Sequence, residues 1–367
     1  MKKRRFIALA VVFSVLLVFA AGCGGGGSSG GGTSGGTSGG GSQQAELPKI
    51  TLALSLQDPV TARMGVAMQA WADEVNELTN GGLTITLYGG GSLAGPMEVR
   101  DFVIDGTADI GWMFIMGWAS LHPLSLVTTL PMNGPSHPAQ AAEVLWDLYE
   151  STPEMRADID PNFKILKMYG NPANFIATVD TPFRSIDDIQ GMRIRAPGGA
   201  ITEILRLWGA SPESVPATET YDAMQRGNIA GTSWEWQGID AFKIHELINY
   251  VTPDVHTYMG VFFLGMNWDS WNNLPQEYQD VLTATTQRAG SIRAGNDFYA
   301  ANEAAKALAF ESNPDLEIVQ MAPEEVARLK VIADQFAAEW VEKNSVDGFD
   351  AQGYYERMQA SLARHAR

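Results

Sequence analysis

The chain has little of several residue types on which catalysis and metal binding depend. Cys23 is the only cysteine among 367 residues, so no disulfide can form within the chain. The five histidines are His122, His137, His245, His256 and His365. They are scattered along the chain, and none has the paired spacing of a zinc site. No Gly-x-Ser-x-Gly elbow joins a predicted strand to a helix, and the spacing of the glycine run 89–91 to Gly95 fits neither a dinucleotide fingerprint nor a phosphate loop. We therefore expect no enzymatic activity, no metal and no cofactor.

Positive charge is also scarce. The chain has 25 Lys and Arg against 42 Asp and Glu, which gives a formal net charge of −17. Nucleic acids and anionic lipid surfaces repel so acidic a chain, and we expect no nucleic-acid partner. The total charge does not argue against an anionic ligand, because one or two local charges are enough to make a binding site.

The N-terminus has the parts of an export signal. Lys2–Arg5 are basic, an uninterrupted apolar run follows over Phe6–Ala21, and Gly22 and Cys23 end it. The run is shorter than the ~20 residues that a membrane-spanning helix needs. We therefore predict a signal peptide at residues 1–22. The alternative is a permanent anchor helix.

The segment Ala20–Cys23 resembles the lipobox of bacterial lipoproteins, in which the cysteine carries lipid after cleavage. Ala20 departs from the usual pattern, which has Leu at this position. Residues 24–44 are almost wholly Gly, Ser, Thr and Gln, a composition that forms a flexible coil. We expect residues 23–46 to be a lipidated cysteine and tether that hold a periplasmic protein at the membrane. A chance cysteine is the alternative.

From Leu47 onward, strand patterns and helix patterns alternate. The strand-like runs are 50–56, 83–88, 108–113, 163–169, 175–179, 192–196 and 258–267, and the helical runs are 64–78, 96–105, 200–207, 275–312, 323–344 and 354–363. Alternation of this kind predicts a mostly parallel sheet with ligands at the carboxyl ends of its strands. The pattern restarts after residue 160, so we expect two α/β lobes, with strand 258–267 returning to the first.

Two strings carry a resemblance to a known family: Gly191–Gly199, which reads GMRIRAPGG, and Tyr221–Gly227, which reads YDAMQRG. Weaker matches follow in order along nearly the whole chain: Tyr88–Leu93, Asp105–Gly111, Leu130–Pro131, Trp146–Glu150, Met266–Asn267 and Trp271–Pro275. Together they resemble the solute-binding subunits of tripartite ATP-independent periplasmic (TRAP) transporters, the DctP-like family. The resemblance implies a type II periplasmic-binding-protein fold, in which two α/β lobes with hinge crossings close over a carboxylate ligand.

The resemblance also sets the expected domains and partners. Lobe I is expected at residues 47–170 plus about 257–300, and lobe II at 171–256 plus about 301–367, including the C-terminal helices. The implied function is capture of a small organic acid outside the cytoplasmic membrane and its delivery to TRAP permease subunits. The alternative is a ligand-sensing periplasmic partner of a membrane receptor, which would use the same cleft.

Arg195 matches the second basic residue of the family's Lys/Arg-x-Arg motif, and the resemblance implies that it grips the ligand carboxylate. A guanidinium offers a planar fork that meets a carboxylate with two parallel hydrogen bonds. Arg193 lies two residues earlier and is expected to be a solvated surface charge. The alternative for Arg195 is a salt bridge within the protein.

The remaining candidate residues concern the body of the ligand. Many family members carry a second ligand-facing arginine where Asn174 stands, so we expect a monocarboxylate rather than a dicarboxylate. Aromatic side chains are expected to receive its apolar or aromatic body: Trp112, Phe114, Trp234 and Trp236. Glu235 is expected to bind a hydroxyl or amine of the ligand. The alternatives are core tryptophans and a solvated glutamate.

Overall fold

The computed structural model describes residues 47–346 and 348–367. The predicted signal peptide at residues 1–22, Cys23 and the predicted tether at 23–46 lie outside the described residues. Among those that are described, no helix is both long enough and apolar enough to cross a membrane.

The described chain contains eleven strands and twelve α-helices. The strands are β1 Ile50–Ser55, β2 Leu83–Tyr88, β3 Ile110–Phe114, β4 Lys164–Gly170, β5 Phe175–Thr178, β6 Arg193–Ala196, β7 Ser211–Ser214, β8 Gly231–Trp234, β9 Tyr250–Thr252, β10 Val261–Met266 and β11 Glu317–Ile318. The helices are α1 Arg63–Leu78, α2 Val99–Ile104, α3 Pro138–Ser151, α4 Pro153–Ile159, α5 Ala200–Leu207, α6 Thr220–Gln225, α7 Trp236–Ala241, α8 Trp268–Asn272, α9 Gln276–Thr285, α10 Gln287–Ser312, α11 Pro323–Asn344 and α12 Ala351–Arg364.

These strands form two sheets, each the centre of one lobe. The sheet of the first lobe has the order β2-β1-β3-β10-β4, and that of the second has the order β11-β9-β5-β8-β6-β7. The two-lobed α/β fold predicted from the sequence is confirmed. The sheets are mixed rather than mostly parallel, because β10 runs antiparallel to both of its neighbours and β5 does the same in the second sheet.

Burial in the fold accounts for the apolar residues of β10 and of one face of α1. In β10 every residue is buried, because the strand lies in the interior of its sheet and its side chains enter two hydrophobic cores. On α1, Met64, Met68, Trp71 and Val75 form one buried face. Leu78, the last residue of this helix, is 53% exposed.

Up to the end of α10, the chain joins the two lobes at three places. Residues 171–174 join β4 to β5, residues 253–260 join β9 to β10, and α10 packs against α3 and β4 of the first lobe and against α7 of the second. The helical tract predicted over 275–312 is broken between α9 and α10, where Gln287 adopts a φ of +53°.

The two C-terminal helices pack on different lobes. Helix α11 contacts α5 of the second lobe, whereas α12 contacts α3 of the first. The sequence assigns residues 301–367 to the second lobe, whereas α12 lies on the first. The placement of α12 follows from a polar network around Asp147 on α3, which holds Ser361 and Arg364 of α12.

Candidate functional site

A cavity of about 90 Å³ lies between the two lobes. Its walls combine many aromatic rings with a few polar groups, as ligand sites commonly do. The lining residues are Gln57, Asp58, Pro96, Met97, Trp112, Phe114, Asn171, Arg195, Pro197, Ser214, Val215, Pro216, Ala217, Trp234, Glu235, Gln237, Gly238, Phe242, Tyr258, Phe262 and Phe298.

The first lobe contributes most of the aromatic wall. Trp112 and Phe114 lie on β3 and flank Phe262 of the neighbouring β10, with ring centroids 4.5 and 5.0 Å from it. Phe298 of α10 packs against Phe262 at 5.8 Å. Asp58 enters from the loop after β1. These rings present a rigid apolar surface to a bound molecule.

The second lobe contributes most of the charged groups. Strands β6 and β8 are parallel neighbours, and Arg195 pairs with Thr232 in their register. Their carboxyl ends therefore meet at one edge of the sheet, which brings Arg195 close to Trp234 and Glu235. This edge is where ligands are expected to bind in open α/β sheets.

Arg195 is held from two sides. Its Nε donates to the carbonyl oxygen of Val215 at 3.0 Å, and its guanidinium carbon lies 4.2 Å from the centroid of the Trp234 ring. Its two terminal nitrogens donate to no group in the described part of the chain, and no carboxylate there forms an ion pair with it. Burial lowers the pKa of Arg195 from its usual value, yet the group stays charged at neutral pH. The cavity lining thus includes a cation whose two terminal nitrogens form no hydrogen bond among the described residues.

Two buried carboxyl groups share the cavity with Arg195. Burial raises the pKa of Glu235 to about 8, with the nearby charge of Asp58 adding to the increase. Burial also raises the pKa of Asp58 to about 6, although a hydrogen bond from Gln237 opposes the change. Near neutral pH, Glu235 is therefore mostly protonated and Asp58 mostly ionised. In residues 47–346 and 348–367, no group of three His, Cys, Asp or Glu side chains is placed to hold a metal ion.

The two segments that cross between the lobes, residues 171–174 and 253–260, form the hinge. The hinge reaches the cavity through Asn171. Its Oδ1 accepts from the backbone N–H of Gly260 at 2.6 Å, and its Nδ2 donates to Glu235 Oε2 at 2.9 Å. The two crossing segments also pair directly, because the N–H of Asn174 donates to the carbonyl of Tyr258 at 2.9 Å. One side chain thus joins both crossings to a cavity carboxyl.

The lobes also contact each other across the cleft. The Gln237 amide donates to Asp58 Oδ2 at 2.9 Å inside the cavity. At the rim, Arg63 at the start of α1 forms an ion pair of 3.1 Å with Asp240 of α7. These contacts exist only when the lobes are close together.

Five of the seven residues predicted for the ligand site line this cavity: Trp112, Phe114, Arg195, Trp234 and Glu235. Asn174 and Trp236 do not line it. Asn174 is fully buried in the hinge, where its amide faces the carbonyl of Tyr258 at 3.3 Å. Trp236 begins α7 and turns away from the cavity, packing between Phe175 and Phe310.

Several lining residues escaped the sequence analysis. Gln57 and Asp58 follow β1 directly, and the rule that ligands lie at the carboxyl ends of strands could have found them. Asn171 and Tyr258 lie in the crossings and carry no local signal. Phe298 sits in the middle of a helix whose pattern only indicates burial.

Comparison with known proteins agrees with this geometry. The family model for bacterial extracellular solute-binding proteins of family 7, DctP, matches residues 57–344. The monocarboxylate 2-oxoacid-binding periplasmic protein of Nostoc sp. is 25% identical over 257 residues, which cover 68% of this chain and 68% of that protein.

Solved structures show the same fold. A TRAP solute-binding protein of Rhodoferax ferrireducens, in complex with copurified benzoate, gives a TM-score of 0.81 at 22% identity and covers 87% of this chain and 99% of its own. A TRAP periplasmic solute-binding protein of Bordetella bronchiseptica, with bound (R)- and (S)-mandelate, gives 0.78 at 23% identity and covers 86% and 99%.

The family match spans most of the described chain, and the resemblance predicted from the sequence is confirmed. Members of this family bind small organic acids outside the cytoplasmic membrane and work with membrane permease subunits. The chain belongs to the DctP family of bacterial extracellular solute-binding proteins, those that serve TRAP transporters.

Proposed function

We propose that this protein captures a monocarboxylate with an apolar or aromatic body in the cavity between its lobes and delivers it to a TRAP-type permease. The observation that carries the proposal is Arg195, a buried cation without an ion-pair partner among the described residues. A buried unpaired charge is costly, and an entering carboxylate would remove that cost. Its two terminal nitrogens are free to meet both carboxylate oxygens.

The aromatic wall supports an apolar body on the ligand. The rings of Trp112, Phe114, Phe262 and Phe298 pack against one another and line the same cavity as Arg195. Burying apolar area against such rings is favourable by roughly 25 cal/mol per Å². The Nostoc relative that binds 2-oxoacids and the structural neighbours with benzoate and mandelate are consistent with this class of ligand.

The charge balance favours one carboxylate over two. Arg195 is the sole cation among the lining residues, and Asp58 and Glu235 are both acidic. A second carboxylate on the ligand would meet a carboxylate rather than a cation. We also propose that the protein releases its ligand unchanged, since the cavity offers no nucleophile activated by a neighbouring base.

We further propose that the protein is held at the membrane through lipid on Cys23. The support is the lipobox-like Ala20–Cys23 and the Gly/Ser-rich segment that follows it. The full-length protein expressed in a bacterial host should incorporate labelled fatty acid and fractionate with membranes. A Cys23→Ser variant should do neither, and label in that variant would contradict the proposal.

The binding proposal is tested by thermal shift of a soluble fragment starting at Glu46. The panel would run from branched 2-oxo acids and benzoate to succinate and malate. We expect monocarboxylates to raise the melting temperature, because a ligand that binds only the folded state stabilises it. Arg195→Ala should abolish the shift.

Arg193→Ala is the matched control. Arg193 lies on the same strand two residues earlier, is exposed, and donates to the carbonyl of Gly227 rather than to the cavity. This variant should respond to ligand as the unmodified protein does. A larger shift with dicarboxylates, or none with any acid, would overturn the proposal.

A further inference from the structure

A second cavity, of about 150 Å³, lies within the first lobe and has no part in the ligand site between the lobes. Helices α1 and α10 form its sides, and strand β4 forms its floor. The residues around it are Met64, Ala67, Met68, Ala70, Trp71, Glu74, Lys167, Tyr169, Arg293, Ala294 and Asp297. We call it the Lys167 pocket.

Lys167 occupies the floor of this pocket and is 4% exposed. Its Nζ lies 4.3 Å from the centroid of the Trp71 ring, a cation–π contact. Within the described residues its Nζ donates a hydrogen bond to no group and has no ion-pair partner. Burial lowers its pKa to about 7, and the charge of Arg293 adds to the decrease. The ammonium therefore sits in a cavity that does not satisfy it.

The charges of Glu74 and Asp297 favour the ammonium from a distance, but neither carboxylate forms an ion pair with it within the described residues. Arg293 and Glu74 form an ion pair with each other, with a nitrogen-to-oxygen distance of 2.8 Å, at the mouth. Asp297 is also at the mouth and is exposed. Tyr169 lies two residues from Lys167 on the same strand face, and its buried hydroxyl has no hydrogen-bond partner in the described part of the chain.

We propose that the Lys167 pocket is a second binding site, specific for a short-chain monocarboxylate. The carboxylate would accept hydrogen bonds from Lys167, and the alkyl chain would pack on Met64, Met68 and Trp71. A cavity of 150 Å³ is known to accept benzene when it is apolar, so roughly five or six heavy atoms fit.

Charge disfavours neutral and dianionic occupants of this site. A buried ammonium is stabilised by an anion at contact distance far more than by a neutral group. Asp297 and Glu74 at the mouth disfavour a dianion such as succinate or phosphate.

Carbon-13 NMR of the lysine side chains tests the proposal, with propionate as the probe. In the fragment labelled at lysine Cε, the signal missing from Lys167→Met identifies Lys167. Saturating propionate should shift this signal and raise its titration midpoint by at least about one pH unit, since a bound anion favours the charged amine. The Lys167→Met protein should fold at least as stably, because an apolar chain replaces a buried charge.

Three controls separate this site from others. Lys164 lies on the same strand and also packs over tryptophan rings, so its signal should not respond to propionate. The Lys167 response should persist in Arg195→Ala, which removes the anchor of the other cavity. Propionamide and succinate should produce no saturable response. Loss of the response in Arg195→Ala, an equal response to propionamide, or no change at Lys167 would each overturn the proposal.

Discussion

At the scale of single residues, the properties of the site depend on how burial shifts the pKa values of its charged groups. The sequence motif predicted Arg195 as a site residue, and the structure places it in the lining of the cavity between the lobes; its contact with a ligand carboxylate stays a prediction. The motif could not place Asn174 or Trp236, since their orientation depends on where β5 and α7 begin. Nor could it predict that Glu235 is protonated near neutral pH, because that follows from tertiary burial beside Asp58.

Protonation of Glu235 predicts a pH dependence of ligand binding. With a pKa of about 8, Glu235 is neutral at pH 7 and becomes an anion at higher pH. The anion repels the ligand carboxylate and competes for Arg195. The dissociation constant of a monocarboxylate should therefore rise above pH 8, by up to roughly tenfold per pH unit. Calorimetric titration between pH 6.5 and 9.5 measures it.

Glu235→Gln is the informative variant for this dependence. It keeps the shape of the side chain and a neutral amide, so the affinity at pH 7 should change little. The rise above pH 8 should disappear. A rise that persists in the variant would assign the titration to another group.

At the scale of elements, strong patterns were predicted well and short strands were not. The buried run of β10 and the amphipathic face of α1 extend over enough residues to be recognised. Strands β7, β8, β9 and β11 have two to four residues each and no usable period, so only their sheet partners define them. The docking of α12 on the first lobe was also missed, since it depends on Asp147, far away in sequence.

We predict that the hydrogen bonds accepted by Asp147 hold α12 on the first lobe. Although partial burial raises its pKa, hydrogen bonds from Ser361, Arg364 and Arg288 hold it well below its usual range. A lowered pKa contributes stability that is present above the usual aspartate value and is lost as pH falls. Asp147→Asn should lower the free energy of unfolding at pH 7 by about 1–2 kcal/mol, discounted because the network is partly solvated.

Urea denaturation at pH 7, pH 3.5 and pH 2 measures this effect. Because the carboxylate stays ionised in the folded protein well below the usual aspartate pKa, the advantage of the unmodified protein over Asp147→Asn should fall only slightly by pH 3.5 and clearly by pH 2. Amide exchange in α12 should be faster in the variant. Asp222→Asn is a suitable control, because its ion pair with Arg226 lies on an exposed helix surface. An equal loss in both variants would contradict the role of Asp147.

At the scale of the whole molecule, we expect ligand binding to depend on the lobes moving against each other. The contacts of Gln237 with Asp58 and of Arg63 with Asp240 join the lobes across the cleft. The two-lobed fold followed from the family motifs. The contacts across the cleft did not, because they join residues that are distant in sequence and that meet only on closure.

We predict that removing the Arg63–Asp240 ion pair has a modest effect on closure of the lobes. Asp240→Asn should raise the ligand dissociation constant by no more than about fivefold, since a partly exposed ion pair contributes at most about 1 kcal/mol. It should also increase the radius of gyration of the ligand-free protein in small-angle scattering. Glu203→Gln removes an exposed pair within α5 and should change neither quantity. Equal affinities and radii for Asp240→Asn and the unmodified protein would show that this pair does not favour closure.

The most direct test of the account is a calorimetric comparison of the best monocarboxylate with its primary amide, using the unmodified protein and Arg195→Ala. If Arg195 anchors the carboxylate, the unmodified protein should bind the acid at least about 100-fold more tightly than the amide. The carboxylate accepts two charge-assisted hydrogen bonds from Arg195, and the amide cannot. Arg195→Ala should bind both molecules with equal, weak affinity. If Arg195→Ala still prefers the acid by the same factor, the carboxylate is held elsewhere and the account is wrong.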